Sequence, residues 1–218
     1  MYPHRIRLLG PWDCERIGAP QLAGSKPQHI APPICFRDMG LRGTLRLTRR
    51  FGYPGRIDSY EHVWLTFAEV ADQAAATLND QPLGTGLAGT FEMEVTPLLA
   101  ARNRLEIVLN AESEGAGLGE VALEVRRDAF LRGLRAIEEP GGTLRVTGSV
   151  VGTGRPLELY ALAGGRTVYY CPTEVAPEGK PFDFAILPES PTREVRVELV
   201  CGAEQWYVVE ALITEPDA

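Results

Sequence analysis

The sequence lacks the features that would place this chain in or across a membrane. Its N-terminus, Met1-Tyr2-Pro3-His4-Arg5, has no apolar run of the kind that directs secretion, and no later stretch is apolar for long enough to span a bilayer. A basic cluster is also missing, since the net charge is -7 and the acidic residues are scattered along the chain. These absences predict a cytoplasmic protein that binds neither membranes nor nucleic acid.

Few residues are available for metal or redox chemistry. The three histidines, His4, His29 and His62, do not have the spacing of metal ligands, and no segment resembles a serine or cysteine nucleophile motif. We therefore predict no metal site and no cofactor. Reduced core thiols are expected, with a bridge within each half as the alternative for a secreted chain, at the four cysteines Cys14, Cys35, Cys171 and Cys201.

Long helices are not predicted, because no long segment repeats apolar residues at i, i+3, i+4 and i+7. Period-two alternation recurs instead. In residues 44–51 the leucines and Phe51 share one face and the arginines and threonines occupy the other, which predicts a half-buried strand. The polar run 79–82 predicts a hairpin turn, and Thr96 followed by Pro97 predicts the cap and first residue of a short helix.

The strand pattern restarts after Asp128. From Phe130 to Ile213 the alternation predicts about seven short strands separated by Gly- and Pro-bearing turns, the number expected of an immunoglobulin-like sandwich. Residues before Asp128 carry a strand series of their own. We therefore predict two abutting domains, 1–127 and 128–218, with no low-complexity linker between them.

Five segments of the first half carry a resemblance to a known family. They are 50–54 (RFGYP), 61–67 (EHVWLTF), 76–84 (ATLNDQPLG), 91–99 (FEMEVTPLL) and 102–107 (RNRLEI). In this order and spacing they resemble the sugar-binding domain of family 2 glycoside hydrolases. The resemblance implies an all-β chain, with a galactose-binding-like jelly-roll sandwich over 1–127 and an immunoglobulin-like sandwich over 128–218.

The same resemblance bears on catalysis. In that family a further barrel domain carries two catalytic carboxylates, and no part of these 218 residues resembles it. Glu138 and Glu139 are adjacent, so on an extended chain they point to opposite faces, and together with Pro140 they are typical of a solvated turn. We therefore predict a protein that is not an enzyme and has no catalytic residues.

Carbohydrate-binding surfaces combine an exposed aromatic ring with a few polar groups. Trp64 and His62 lie on the side of their predicted strand opposite Val63 and Leu65, so they are the candidate ligand-binding residues; the alternative for Trp64 is a position beneath the neighbouring domain. The other two tryptophans, Trp12 and Trp206, are predicted to be core residues.

The expected function is carbohydrate binding, or accessory support of a carbohydrate-active system. The alternative is a protein-protein interaction or scaffold protein that binds no glycan and pairs its sandwich faces or edge strands with a second copy or another chain. A third reading is an enzyme part whose catalytic barrel is encoded separately.

Overall fold

Strands form nearly all of the regular structure, as the alternating pattern predicts. The computed structural model describes residues 4–18, 27–113, 115–152, 156–173 and 177–214. The chain divides between Val125 and Arg126 into two compact units, two residues before the predicted boundary. None of the helices in the described part of the chain has the length and apolar character needed to cross a bilayer.

The first unit contains one sheet that, within the described residues, has ten strands. The strands are β1 (His4–Arg7), β2 (Trp12–Arg16), β3 (Gln28–Ile30), β4 (Ile34–Cys35), β5 (Thr44–Gly52), β6 (Glu61–Leu78), β7 (Gln81–Glu94), β8 (Arg102–Asn110), β9 (Gly117–Leu118) and β10 (Val121–Arg127). Short 3-10 helices occur at Arg37–Met39 and Thr96–Leu98.

Strand β6 organises this sheet, whose main path is β1-β10-β6-β8-β5-β2-β3. It pairs with β7 from Trp64 to Leu78, and its last five residues, Ala74–Leu78, also pair with β8 on their other side. The β6–β7 register shifts at several points between Phe67 and Thr77. Such bulges bend a strand, which allows β6 to follow the curvature of the sheet. The predicted all-β fold is confirmed.

The core of the first unit follows the period-two pattern. Leu45 and Leu47 of β5 are fully buried, as are Leu105 of β8 and Trp12 of β2. The Trp12 indole Nε1 donates a hydrogen bond to the Leu8 carbonyl oxygen at 2.6 Å, which satisfies the one polar atom of this buried side chain. The prediction that Trp12 is a core residue is confirmed.

The structure corrects two details of this half. Arg49 lies on the leucine side of β5 by alternation, where its Nη1 donates a hydrogen bond to the Pro11 carbonyl oxygen at 2.9 Å. The predicted short helix is only the 3-10 turn Thr96–Leu98, without a side-chain cap. The Thr96 hydroxyl instead accepts a hydrogen bond from the Val63 N–H at 2.8 Å, so it is not available to cap a helix.

Two asparagines hold the predicted hairpin turn to the start of β8. Asn79 and Asp80 connect β6 to β7 with φ of 51° and 66°, a left-handed conformation that Asn and Asp tolerate. Asn79 Nδ2 donates to Asn103 Oδ1 at 2.9 Å, and Asn79 Oδ1 accepts from the Arg104 N–H at 2.8 Å. Asn103 is 2% exposed, and it also accepts from the Ala100 N–H and donates to the Ala100 carbonyl.

We expect Asn103→Ala to lower the free energy of unfolding of the first unit by about 3 kcal/mol, because it leaves buried polar partners unsatisfied. Asn110→Ala is the matched control, since Asn110 ends the same strand and is exposed. Urea denaturation of both variants measures the difference. Equal stability of the two variants would show that the asparagine pair contributes nothing.

The second unit is a seven-stranded sheet within the described residues. Its strands are β11 (Ala129–Glu138), β12 (Leu144–Gly152), β13 (Leu157–Ala163), β14 (Arg166–Thr173), β15 (Lys180–Ile186), β16 (Glu194–Cys201) and β17 (Glu204–Thr214). The order is β14-β13-β16-β17-β11-β12-β15, and β11 and β17 run parallel where Ala136 meets Ile213. These strands lie where the sequence predicts them.

Aromatic packing draws the two end strands of this sheet together. Tyr169 of β14 stacks on Phe184 of β15 with ring centroids 3.7 Å apart and planes 2° apart, and Phe182 extends the stack on the β15 side. The sheet is therefore curled so that its first and last strands approach each other. Trp206 is buried in this unit, which confirms its prediction as a core residue.

Candidate functional site

His62 and Trp64 lie near the start of β6, on the face opposite its buried residues. Val63 and Leu65 are buried in the core, whereas His62 and Trp64 are half-buried, so the predicted alternation of this strand is confirmed. The site stands on a strand of the central sheet and not on a loop. A ligand-binding role for the two side chains stays a prediction.

A carboxylate from the neighbouring strand holds the histidine. The Nδ1 of His62 lies 2.8 Å from Glu94 Oε1, and the two side chains are 35% and 41% exposed. Glu94 is directly opposite Trp64 in the β6–β7 register. An imidazole, a carboxylate and an indole are thus brought to one surface by cross-strand pairing.

The residues that follow Trp64 on β6 are buried and well packed. Thr66, the next residue on the same face, is buried and donates its hydroxyl to the Ala122 carbonyl oxygen at 3.3 Å. On the core side Phe67 stacks on Phe91 with centroids 4.2 Å apart. The face therefore runs from a buried threonine, through a half-buried tryptophan, to a more open histidine.

Tyr60 is a further exposed aromatic residue close to the start of β6. It was not among the residues predicted from the sequence. It precedes β6 by one residue and is 38% exposed. Its hydroxyl donates to Asp58 Oδ2 at 3.3 Å, and Asp58 also accepts from Arg56 Nε at 3.1 Å. Tyr60 lies in the turn that precedes β6, so strand alternation does not assign its side chain to a face, and its position two residues before His62 was the one signal in the sequence.

The adjacent carboxylates Glu138 and Glu139 lie where β11 ends: Glu138 is its last residue, paired with Leu144 of β12, and Glu139 begins the turn between the two strands. The Glu139 N–H donates to the Thr143 carbonyl at 2.7 Å, and the Glu139 carbonyl accepts from the Gly142 N–H. The Glu139 carboxylate pairs with Arg145 at 3.8 Å. The prediction of a turn is confirmed for Glu139, whereas Glu138 is still part of the strand. Among the described residues no group of three or more His, Cys, Asp or Glu could hold a metal ion.

All four cysteines are free thiols, and their environments differ. Cys14 is a buried core residue, as predicted. Cys35, Cys171 and Cys201 are half-buried, so the prediction of core positions is wrong for these three. Burial raises the pKa of the Cys14 thiol to about 11, because it penalises the thiolate.

We expect Cys14 to react with iodoacetamide at neutral pH slower than an unfolded cysteine by about two orders of magnitude, because only the thiolate is nucleophilic. The other three cysteines of the same molecule are the internal control. Mass spectrometry of timed samples measures each rate. Alkylation of Cys14 as fast as that of Cys35 would contradict the burial of its thiol.

The comparisons with known proteins identify the fold. No family model and no curated protein matches the chain. Among solved structures, a putative β-galactosidase from Bacteroides fragilis superposes with a TM-score of 0.75 at 14% identity over 96% of this chain and 40% of its own. A β-glucuronidase from Bifidobacterium dentium gives 0.72 at 20% identity, over 96% of this chain and 49% of its own.

A family 2 β-galacturonidase from Eisenbergiella tayi gives 0.72 at 15% identity, over 98% of this chain and 43% of its own. The chain has the fold of part of a family 2 β-glycosidase. It spans less than half the length of these family 2-like structures, and both of its units are included in the match. The resemblance found in the sequence is thereby confirmed at the level of fold.

Proposed function

We propose that this chain is a non-catalytic carbohydrate-binding protein, related in fold to the front part of family 2 β-glycosidases. The observation that supports this most is the match of nearly the whole chain to less than half of several glycosidases. A sandwich that accompanies a sugar-cleaving domain is suited to hold or orient a glycan, although fold alone does not carry function.

The chemistry of hydrolysis supports a role without catalysis. Cleavage of a glycosidic bond uses two carboxyl groups at a fixed separation across the sugar. Glu94, the carboxylate beside Trp64, is engaged with His62, and Glu139 lies in a hairpin turn beside Arg145. Each of these two carboxylates thus has a histidine or arginine as its partner.

Purified protein should therefore leave aryl glycosides intact. The assay uses chromogenic β-galactosides, β-glucuronides and β-galacturonides, because the structural neighbours carry these names. A family 2 enzyme run in parallel verifies each substrate. Turnover that co-purifies with the chain and survives a second purification would overturn the non-catalytic assignment.

The surface at His62 and Trp64 is the proposed binding site. The indole offers an apolar face for a sugar ring, and the His62–Glu94 pair offers polar atoms for hydroxyl groups. Tyr60, in the turn before β6, is a further exposed aromatic residue near the start of this strand. Both His62 and Trp64 stand on a paired strand, which reduces the ordering needed on binding.

Trp64→Ala should weaken glycan binding about tenfold, through loss of ring stacking. Glycan-array screening identifies the ligand, and affinity gel electrophoresis then compares the variants. Tyr53→Ala is the matched control, because Tyr53 is an exposed aromatic residue of the same unit. Equal losses of glycan affinity in the two variants would show that Trp64 is not part of the binding site.

The rival function is that of an interaction protein, and one observation favours it. Leu187 and Leu212, both in the second unit, are 69% and 72% exposed, and a partner chain that covered them would bury this apolar surface. A stable dimer in light scattering that dissociates in Leu212→Glu, together with a blank glycan array, would support this function and replace the carbohydrate-binding one.

A further inference from the structure

Two tyrosines of the second unit form an outward aromatic pair on the β13–β14 hairpin. Tyr160 and Tyr170 are directly opposite in the register, with ring centroids 5.0 Å apart and planes at 50°. Tyr170 is 49% exposed, so one ring offers an open face to solvent. On the other side of Tyr160 the register places Glu198 of β16.

A single carboxylate fixes both rings. Glu158 Oε2 accepts a hydrogen bond from the Tyr160 hydroxyl and Oε1 accepts one from the Tyr170 hydroxyl, each at 3.0 Å. The same hydrogen bonds are the main reason why the pKa of each tyrosine is raised, since Glu158 favours the protonated phenols. The tilt of both rings is therefore set before any ligand arrives.

Glu158 differs from its neighbour Glu198 in the basic partners that the described residues provide. Among the described residues no Arg, Lys or His forms an ion pair with it, whereas Glu198 is paired with Arg196, whose Nε lies 2.6 Å from Glu198 Oε1. Each carboxylate oxygen can accept more than one hydrogen bond, so Glu158 keeps acceptor capacity after binding both phenols. The faces of the tyrosine rings are also electron-rich.

This combination selects a particular ligand chemistry. An open aromatic face stacks on the apolar face of a pyranose, and an unpaired carboxylate at the edge of the ring attracts a cation. An anionic sugar would be repelled by the same carboxylate. A purely structural cross-strand pair would need neither the exposure of Tyr170 nor an uncompensated charge beside it.

We propose that Glu158, Tyr160 and Tyr170 bind a sugar that carries a protonated amino group, with its ring on Tyr170 and its ammonium group toward Glu158. This inference rests on the proposed carbohydrate-binding function, and it names an amino sugar as the ligand class and the second unit as its location. It uses no residue of the Trp64 surface, so the two sites can be separated by mutation.

The test is isothermal titration of the full chain in mildly acidic buffer, where sugar amines are protonated. The probes are an oligomer of β-1,4-linked glucosamine, its fully N-acetylated counterpart, and an oligomer of galacturonic acid. The amine-bearing oligomer should bind more tightly than the acetylated one by about tenfold, the effect expected of one charge-assisted hydrogen bond. The acidic oligomer should bind least.

Glu158→Gln should remove this preference, weakening the amine-bearing oligomer about tenfold while changing the acetylated one less than about twofold. Tyr170→Ala should weaken both about tenfold, and Tyr170→Phe, which keeps the ring and the fold, should retain the stacking. Thermal melts verify that each variant is folded. An undiminished preference in Glu158→Gln would overturn the inference.

The same titrations distinguish failure of this inference from failure of the proposed function. Binding that is lost in Trp64→Ala and unchanged in Tyr170→Ala and Glu158→Gln would overturn this inference and leave the proposed function standing. If the amine-bearing oligomer still binds to Trp64→Ala and no longer binds to Tyr170→Ala, the inference is supported, whether or not the Trp64 surface binds a glycan of its own. Absence of binding by all three probes would overturn it.

Discussion

The hydrogen bond from Asn79 to Asn103 is the constraint on which the first unit depends. It joins the turn between β6 and β7 to the segment that enters β8, at the place where the long strand β6 pairs with β8. A buried amide pair of this kind is directional and fails if either partner moves. It therefore fixes register, which apolar burial alone would leave free to slip by two residues.

This constraint gives a physical reading of the motif residues in the sequence. Asn79 is the residue that tolerates a left-handed turn and also offers an amide to Asn103. Thr96, which looks like a helix cap, ties its turn to β6 through the Val63 N–H. The resemblance to glycosidases in this region is thus carried by residues that hold the sandwich together, which is why it predicts the fold much better than a ligand.

Strand positions and core tryptophans could be predicted because period-two burial is local information. The Tyr160–Tyr170 pair could not, because it depends on the register of two strands and on a bulge between Ala161 and Leu162 that no single-strand pattern contains. The predicted face of Arg49 was wrong for a related reason. Its place on the leucine side of β5 is understood once the Pro11 carbonyl oxygen that accepts its hydrogen bond is known. Both cases require knowledge of what lies opposite a residue across the sheet.

The stack of Tyr169 on Phe184 has a consequence for how this protein behaves at high concentration. Strands β14 and β15 are the terminal strands of the second sheet, and such strands are where foreign chains add by backbone pairing. Here the rings hold the two strands against each other, and Pro172 and Pro181 each remove a backbone donor from them. Both borders of this sheet are thereby protected against the addition of further chains, which opposes self-assembly into fibres.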